Sequence, residues 1–82
     1  EAKFFITKEG NRSVLEAKGN YESGMPLNVT LVNTAGQILL QSSGSLSSIN
    51  EALNNRLSAS PSGVYFLKIL YNRKVSSIKF IR

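Results

Sequence analysis

The end of the chain constrains the fold most. Pro61-Ser62-Gly63-Val64-Tyr65-Phe66-Leu67-Lys68-Ile69-Leu70 leads, after a short connection, into Lys74-Val75-Ser76-Ser77-Ile78-Lys79-Phe80-Ile81-Arg82. Both runs are rich in β-branched and aromatic residues, which suit a pleated, half-buried surface. The connection at Asn72-Arg73 is short enough for a tight hairpin, and asparagine tolerates the left-handed backbone that such turns demand. Gly63 lets the chain turn sharply into the first strand. Side chains alternate across a strand, so Tyr65 shares a face with Leu67, Ile69 and Tyr71. That is the more apolar face and is expected to point inward. On the other face Val64 and Phe66 are followed by Lys68.

Similar signals recur upstream. Leu27-Asn28-Val29-Thr30-Leu31-Val32 alternates apolar and polar, as a half-buried strand does, and Gln37 to Gln41 reads as its partner. Asn33-Thr34-Ala35-Gly36 lies between them as a turn in which Gly36 is free to take positive φ. Lys3 to Lys8 and Ser13 to Lys18 read as a further pair of strands around a turn at Glu9 to Arg12. Pro26 pushes Met25 toward extended backbone. The stretch from Ser42 to Ser60 is less decided. Ser42 to Ser48 reads as a loop or a weak edge strand. Ile49, Leu53 and Leu57 recur at helical spacing, with Ser48 and Glu51 placed for a capping box, but they also share strand parity, and Asn54-Asn55 suits neither element. The surrounding pattern favours extended structure there. The expectation is an all-β, immunoglobulin-like antiparallel sandwich of about seven short strands.

Composition narrows the function. The chain has no His, no Cys and no Asp, and its five acidic residues are all glutamates. The usual general base, activated nucleophile and zinc ligands are therefore missing. Glu1, Glu9, Glu16, Glu22 and Glu51 sit mostly among polar neighbours and read as solvated surface carboxylates. No catalytic residue, metal site or cofactor is expected. No apolar run approaches the roughly 20 residues of a bilayer span, so no membrane insertion is expected. Neither does the first segment, Glu-Ala-Lys-Phe-Phe, read as a signal peptide; residues 1–82 are expected to be one domain cut from a longer protein.

Charge is distributed unevenly. Residues 1–51 hold four basic side chains against five glutamates, whereas residues 52–82 hold six basic side chains and no acid, which makes the whole chain +5. A basic terminal hairpin suits an acidic partner. Nucleic acid is not the expected partner, because aromatic residues in alternating strands more often fill a core than stack on bases.

Three segments resemble the C-terminal sorting domains of the type IX secretion system of Bacteroidetes. Pro26 to Leu39 is similar to the family's strand, turn and aliphatic strand. Ser62-Gly63-Val64-Tyr65-Phe66-Leu67-Lys68-Ile69 resembles its Gly-Val-Tyr strand, and Lys74 to Arg82 its final basic strand. Residues 27–82 carry the likeness well and the first 26 poorly. The Pro-Asn-Pro-like opening of many members is missing. Ser60 stands where members usually have Leu, leaving Leu57 to fill the core.

The resemblance implies an address label rather than an enzyme. Such domains fold in the periplasm, are recognised by an outer-membrane translocon, and are typically removed by a sortase-like peptidase as the cargo reaches the cell surface or is secreted. On that reading Lys68, Lys74, Lys79 and Arg82 are the residues expected to meet the translocon, through an exposed strand edge and carboxylates on the receptor. Edge protection against aggregation is the competing explanation for these lysines. Gly36, Gly63, Val64 and Tyr65 are expected to make the fold. The alternative function is an immunoglobulin-like accessory or adhesion module that binds glycan or protein. The absence of Trp speaks against a glycan site.

Overall fold

A computed structural model describes residues 1–82. Six strands and one helix follow in order: β1 (Lys3–Glu9), β2 (Arg12–Lys18), β3 (Leu27–Asn33), β4 (Ile38–Gly44), α1 (Leu46–Ser58), β5 (Val64–Tyr71) and β6 (Lys74–Ile81). All pairings are antiparallel. One sheet is the hairpin β1-β2; the other has the order β4-β3-β5-β6. The result is an open, sandwich-like all-β fold of the immunoglobulin-like kind. It has six strands rather than seven, because a helix occupies the middle of the chain.

The core follows the alternation of each strand. Leu27, Val29 and Leu31 of β3 are buried together with Tyr65, Leu67, Ile69 and Tyr71 of β5 and Phe80 of β6. Leu15 of β2 meets them from the hairpin side, and Ile49, Leu53 and Leu57 from α1 complete a cluster of 12 buried residues. Leu57 does fill the core in place of a leucine at Ser60. Phe4, Tyr21 and Tyr71 close one end of the cluster, their rings 5.3–6.1 Å apart in edge-on or tilted contacts. This spacing is the favourable range for aromatic pairs.

The helix corrects the expectation of extended structure at residues 49–60 and of a loop before it. β4 runs on to Gly44, and Ser45 is the N-cap. The Ser45 backbone is extended, and its hydroxyl accepts the Ser48 N–H at 3.1 Å. Ser48 is thus the capped position and not the cap of a Ser48/Glu51 box. At the other end Ser60 N–H and hydroxyl donate to the carbonyls of Leu57 and Arg56, and Pro61 stops propagation.

The two asparagine positions explain why a helix wins. The Asn50 amide donates to the Leu15 carbonyl at 3.0 Å and accepts the Leu15 N–H at 2.7 Å. Asn54 does the same for Ser13, at 2.9 and 3.0 Å. Residues i and i+4 of a helix lie about 6 Å apart, while i and i+2 of a strand lie about 6.8 Å apart. Two helical amides can therefore serve the outer edge of β2 as a neighbouring strand would. The next turn of α1 reaches the other sheet. Arg56 donates through Nε to the Leu39 carbonyl at 3.0 Å, where β4 carries an extra residue relative to β3. One helix thus occupies both the edge of β2 and part of the edge of β4.

Candidate functional site

The terminal hairpin begins at Gly63, whose φ of +152° few L-residues adopt. A Cβ there would meet nothing, so the demand is on the backbone alone. The Tyr65 ring lies beside Phe80, and its hydroxyl donates to the Pro61 carbonyl, tying the turn to the strand. Asn72 and Arg73 both have positive φ, +50° and +66°, the signature of a two-residue hairpin turn whose twist matches its strands. Gly36 likewise takes φ +82°, with its N–H bonded to the Asn33 carbonyl.

Register decides which groups face outward. Gly63 and Arg82 exchange both backbone hydrogen bonds, at 3.0 and 2.8 Å. Bonded and non-bonded pairs alternate along an antiparallel ladder, so Tyr65/Phe80, Leu67/Ile78, Ile69/Ser76 and Tyr71/Lys74 are the bonded pairs. Val75, Ser77, Lys79 and Ile81 therefore turn their N–H and C=O groups away from β5, along an edge that pairs with no other strand. All four residues are exposed.

The same four side chains share the outer face of the sheet with Val64, Phe66, Lys68 and Leu70. Lys68 stands opposite Ser77, and Lys79 opposite Phe66, which makes the two lysines diagonal neighbours. Leu70, Val75, Ile81 and, across the sheet, Ile38 are the exposed large hydrophobic residues, between 42% and 70% accessible. None of the five glutamates belongs to this sheet: they occupy the segment before β1, β1, β2, the β2–β3 connection and α1.

The four basic residues expected to act together are thereby separated. Lys68 and Lys79 are exposed on the outer face. Lys74 has the opposite parity and is engaged elsewhere: its ammonium donates to the Glu1 carboxylate at 2.9 Å. Arg82 is half-buried, and its backbone is held by Gly63. Arg56 is structural, bonded to Leu39 and Ser60. Sequence reasoning had no signal for the Lys74–Glu1 pair, because 73 residues separate the partners. Val64 and Tyr65 fall on opposite faces: Tyr65 is buried, and Val64 is half-buried outside.

The hydrogen bond from Lys74 and its charge hold the Glu1 carboxyl below the usual carboxylate range. A depressed acid stabilises the fold above its unfolded pKa, and that contribution is lost as pH falls through the folded value. Both side chains are well exposed, 69% and 60%, so solvent screens the pair heavily. Glu1→Gln is accordingly expected to leave the melting temperature at neutral pH unchanged within error, while the Lys74 ammonium signal in an NMR spectrum shifts. A clear drop in melting temperature would contradict this.

No group of three His, Cys, Asp or Glu side chains is placed to hold a metal ion. Glu16 accepts a hydrogen bond from the Thr7 hydroxyl at 2.6 Å, and no glutamate faces another across a cleft. The largest cavity, about 670 Å³, is an open cleft between Glu1–Phe4 and Tyr71–Ser76. Tyr65 and Tyr71 are buried, whereas Phe66 is half-buried on the outer face opposite Lys79. No helix is long and apolar enough to cross a membrane.

A family model described as "Secretion system C-terminal sorting domain" matches residues 11–82, from the β1-β2 turn through all the elements that follow. The chain belongs to this family. It is a type IX secretion C-terminal sorting domain, of a family defined by protein sorting and not by catalysis. No curated protein and no solved structure matches it significantly. Membership ties the sorting domain to export toward the cell surface or secretion. The match also spans the least decided part of the sequence, so α1 lies within the matched residues.

Proposed function

We propose that residues 1–82 act as one unit that the outer-membrane translocon of the type IX system recognises in folded form, after transit through the periplasm. A sortase-like peptidase then removes the domain from its cargo at the cell surface. The observation that supports recognition through the terminal hairpin is the open edge of β6 beside an acid-free face bearing Lys68 and Lys79. Four exposed residues supply the edge. A receptor strand can pair with it, and receptor carboxylates can meet the lysines. Gly36, Gly63 and Tyr65 contribute indirectly, by building the turns and the core without which no folded surface forms; Val64, half-buried on the outer face, is not part of that core.

Residues 1–82 fused behind a reporter in a type IX-competent bacterium test this reading. Deleting Lys74 to Arg82 is expected to strand the reporter in the periplasm. Replacing Lys68 and Lys79 together by Gln removes two exposed charges and should alter stability by no more than about 0.5 kcal/mol at each site. Export is expected to fall while circular dichroism and melting stay unchanged. Normal export of this variant would remove the charges from the recognition mechanism and leave the backbone edge. Normal export of the deletion would overturn the sorting reading, and an accessory or adhesion module would take its place.

A further inference from the structure

The edge of β6 is selective as well as open, and its register defines the strand that fits it. We infer that the hairpin's receptor contributes an extended segment that runs antiparallel to β6 and reads apolar, any, acidic, any, hydroxyl-bearing, any, apolar from its N-terminus. The inference rests on the reading of the hairpin as a recognition element and specifies the chemistry of its partner.

The pattern follows from three facts. Val75, Ser77, Lys79 and Ile81 present both backbone groups outward, so each takes one residue of an incoming strand directly opposite. Residues directly opposite each other share a face of the sheet. Their side chains therefore meet on the outer face, where the order is Ile81, Lys79, Ser77, Val75 along the incoming direction. The apolar ends, 66% and 70% exposed, gain cover from apolar partners. Lys79 gains a carboxylate on a sheet that carries none of its own. The intervening residues turn inward beside Phe80, Ile78 and Ser76, and the last of them enters the cleft of about 670 Å³ at Tyr71–Ser76.

The other edges do not offer this selection. Asn50 and Asn54 occupy β2. The extra residue at Leu39 and the Arg56 guanidinium interrupt β4. On β1 the outward backbone groups belong to Phe4, Ile6 and Lys8, because Ser13 and Leu15 opposite them or beside them bond to α1 instead of β1. Phe4 and Ile6 pack toward the core, and charges of both signs flank them, so β1 has no exposed pattern to match.

The probe is the peptide Val-Thr-Glu-Val-Thr-Thr-Ile, acetylated and amidated, titrated to millimolar concentration against the ¹⁵N-labelled 82-residue chain. Amide exchange is expected to slow at Val75, Ser77, Lys79 and Ile81, and not at Ser76, Ile78 and Phe80, which β5 already protects. Replacing the peptide's Glu by Lys should weaken binding about fivefold, the scale of one cross-strand charge pair. Lys79→Glu should restore binding of that Lys peptide. No binding, protection on β1 or β4, or equal affinity of both peptides for the unaltered chain would overturn the inference. The dependence of export on Lys74 to Arg82 is measured separately in cells, so the sorting reading survives such a result and falls only if the deletion is exported.

Discussion

Truncating Tyr65 to Ala is expected to destabilise the fold by about 3–5 kcal/mol. A chain of this length has only about 4–12 kcal/mol in total, so the variant should be partly unfolded at 37 °C. The residue is 4% exposed and its ring packs beside Phe80. Tyr65→Phe separates the two roles of the side chain. It keeps the ring and removes only the donor to the Pro61 carbonyl, which should cost about 1 kcal/mol. Each kcal/mol corresponds to about 4–8 °C in melting temperature for a domain of this size, so thermal scans resolve both variants. An unchanged melting temperature for Tyr65→Ala would disprove the assignment of inner and outer faces on which the recognition argument depends.

The second large effect concerns the asparagines of α1. Asn50→Ala leaves both backbone groups of Leu15 without partners, and Leu15 is fully buried. An unsatisfied buried polar group costs about 1–3 kcal/mol. The single variant should therefore lose about 2–4 kcal/mol, and Asn50→Ala with Asn54→Ala more than either alone. Amide exchange supplies a local readout. Asn50→Ala should accelerate exchange at Leu15 and Asn54→Ala at Ser13, while Val14, which faces β1, stays protected. Retained protection of Leu15 together with unchanged stability would show that the amides do not serve the strand edge.

The β elements were legible in the sequence because their signals are local. Alternation at Leu27 to Leu31 and at Tyr65 to Tyr71 gives face assignments that burial matches residue by residue. Asn33 to Gly36 and Asn72-Arg73 give turns with the expected positive φ at Gly36 and Asn72. The helix was not legible, because Ile49, Leu53 and Leu57 fit one face of a helix or of a strand equally well. What decides between them is the pairing of Asn50 and Asn54 with β2, contacts across 35 and 41 residues. By local propensity these asparagines argue against a helix. Their reason for being there is tertiary. The exposed basic residues of the outer face were half legible for the same reason. Charge counting found Lys68 and Lys79, but only the register separates them from Lys74 and from Arg82.

The arrangement of edges has a further consequence for crowding. A sheet protein stacks into a filament only when one end of its sheet can accept the other end of the next copy, over and over. The four-stranded sheet here is unequal at its two ends. β6 turns backbone groups outward at Val75, Ser77, Lys79 and Ile81, with β1 lying close to its first residues, whereas β4 is bulged at Leu39 and obstructed by a cation bonded to that carbonyl. Adding one strand to β6 is feasible, and copying that step head to tail is not. The edge of β6 can therefore stay bare without seeding head-to-tail stacking, because the far end of each sheet acts as a chain terminator.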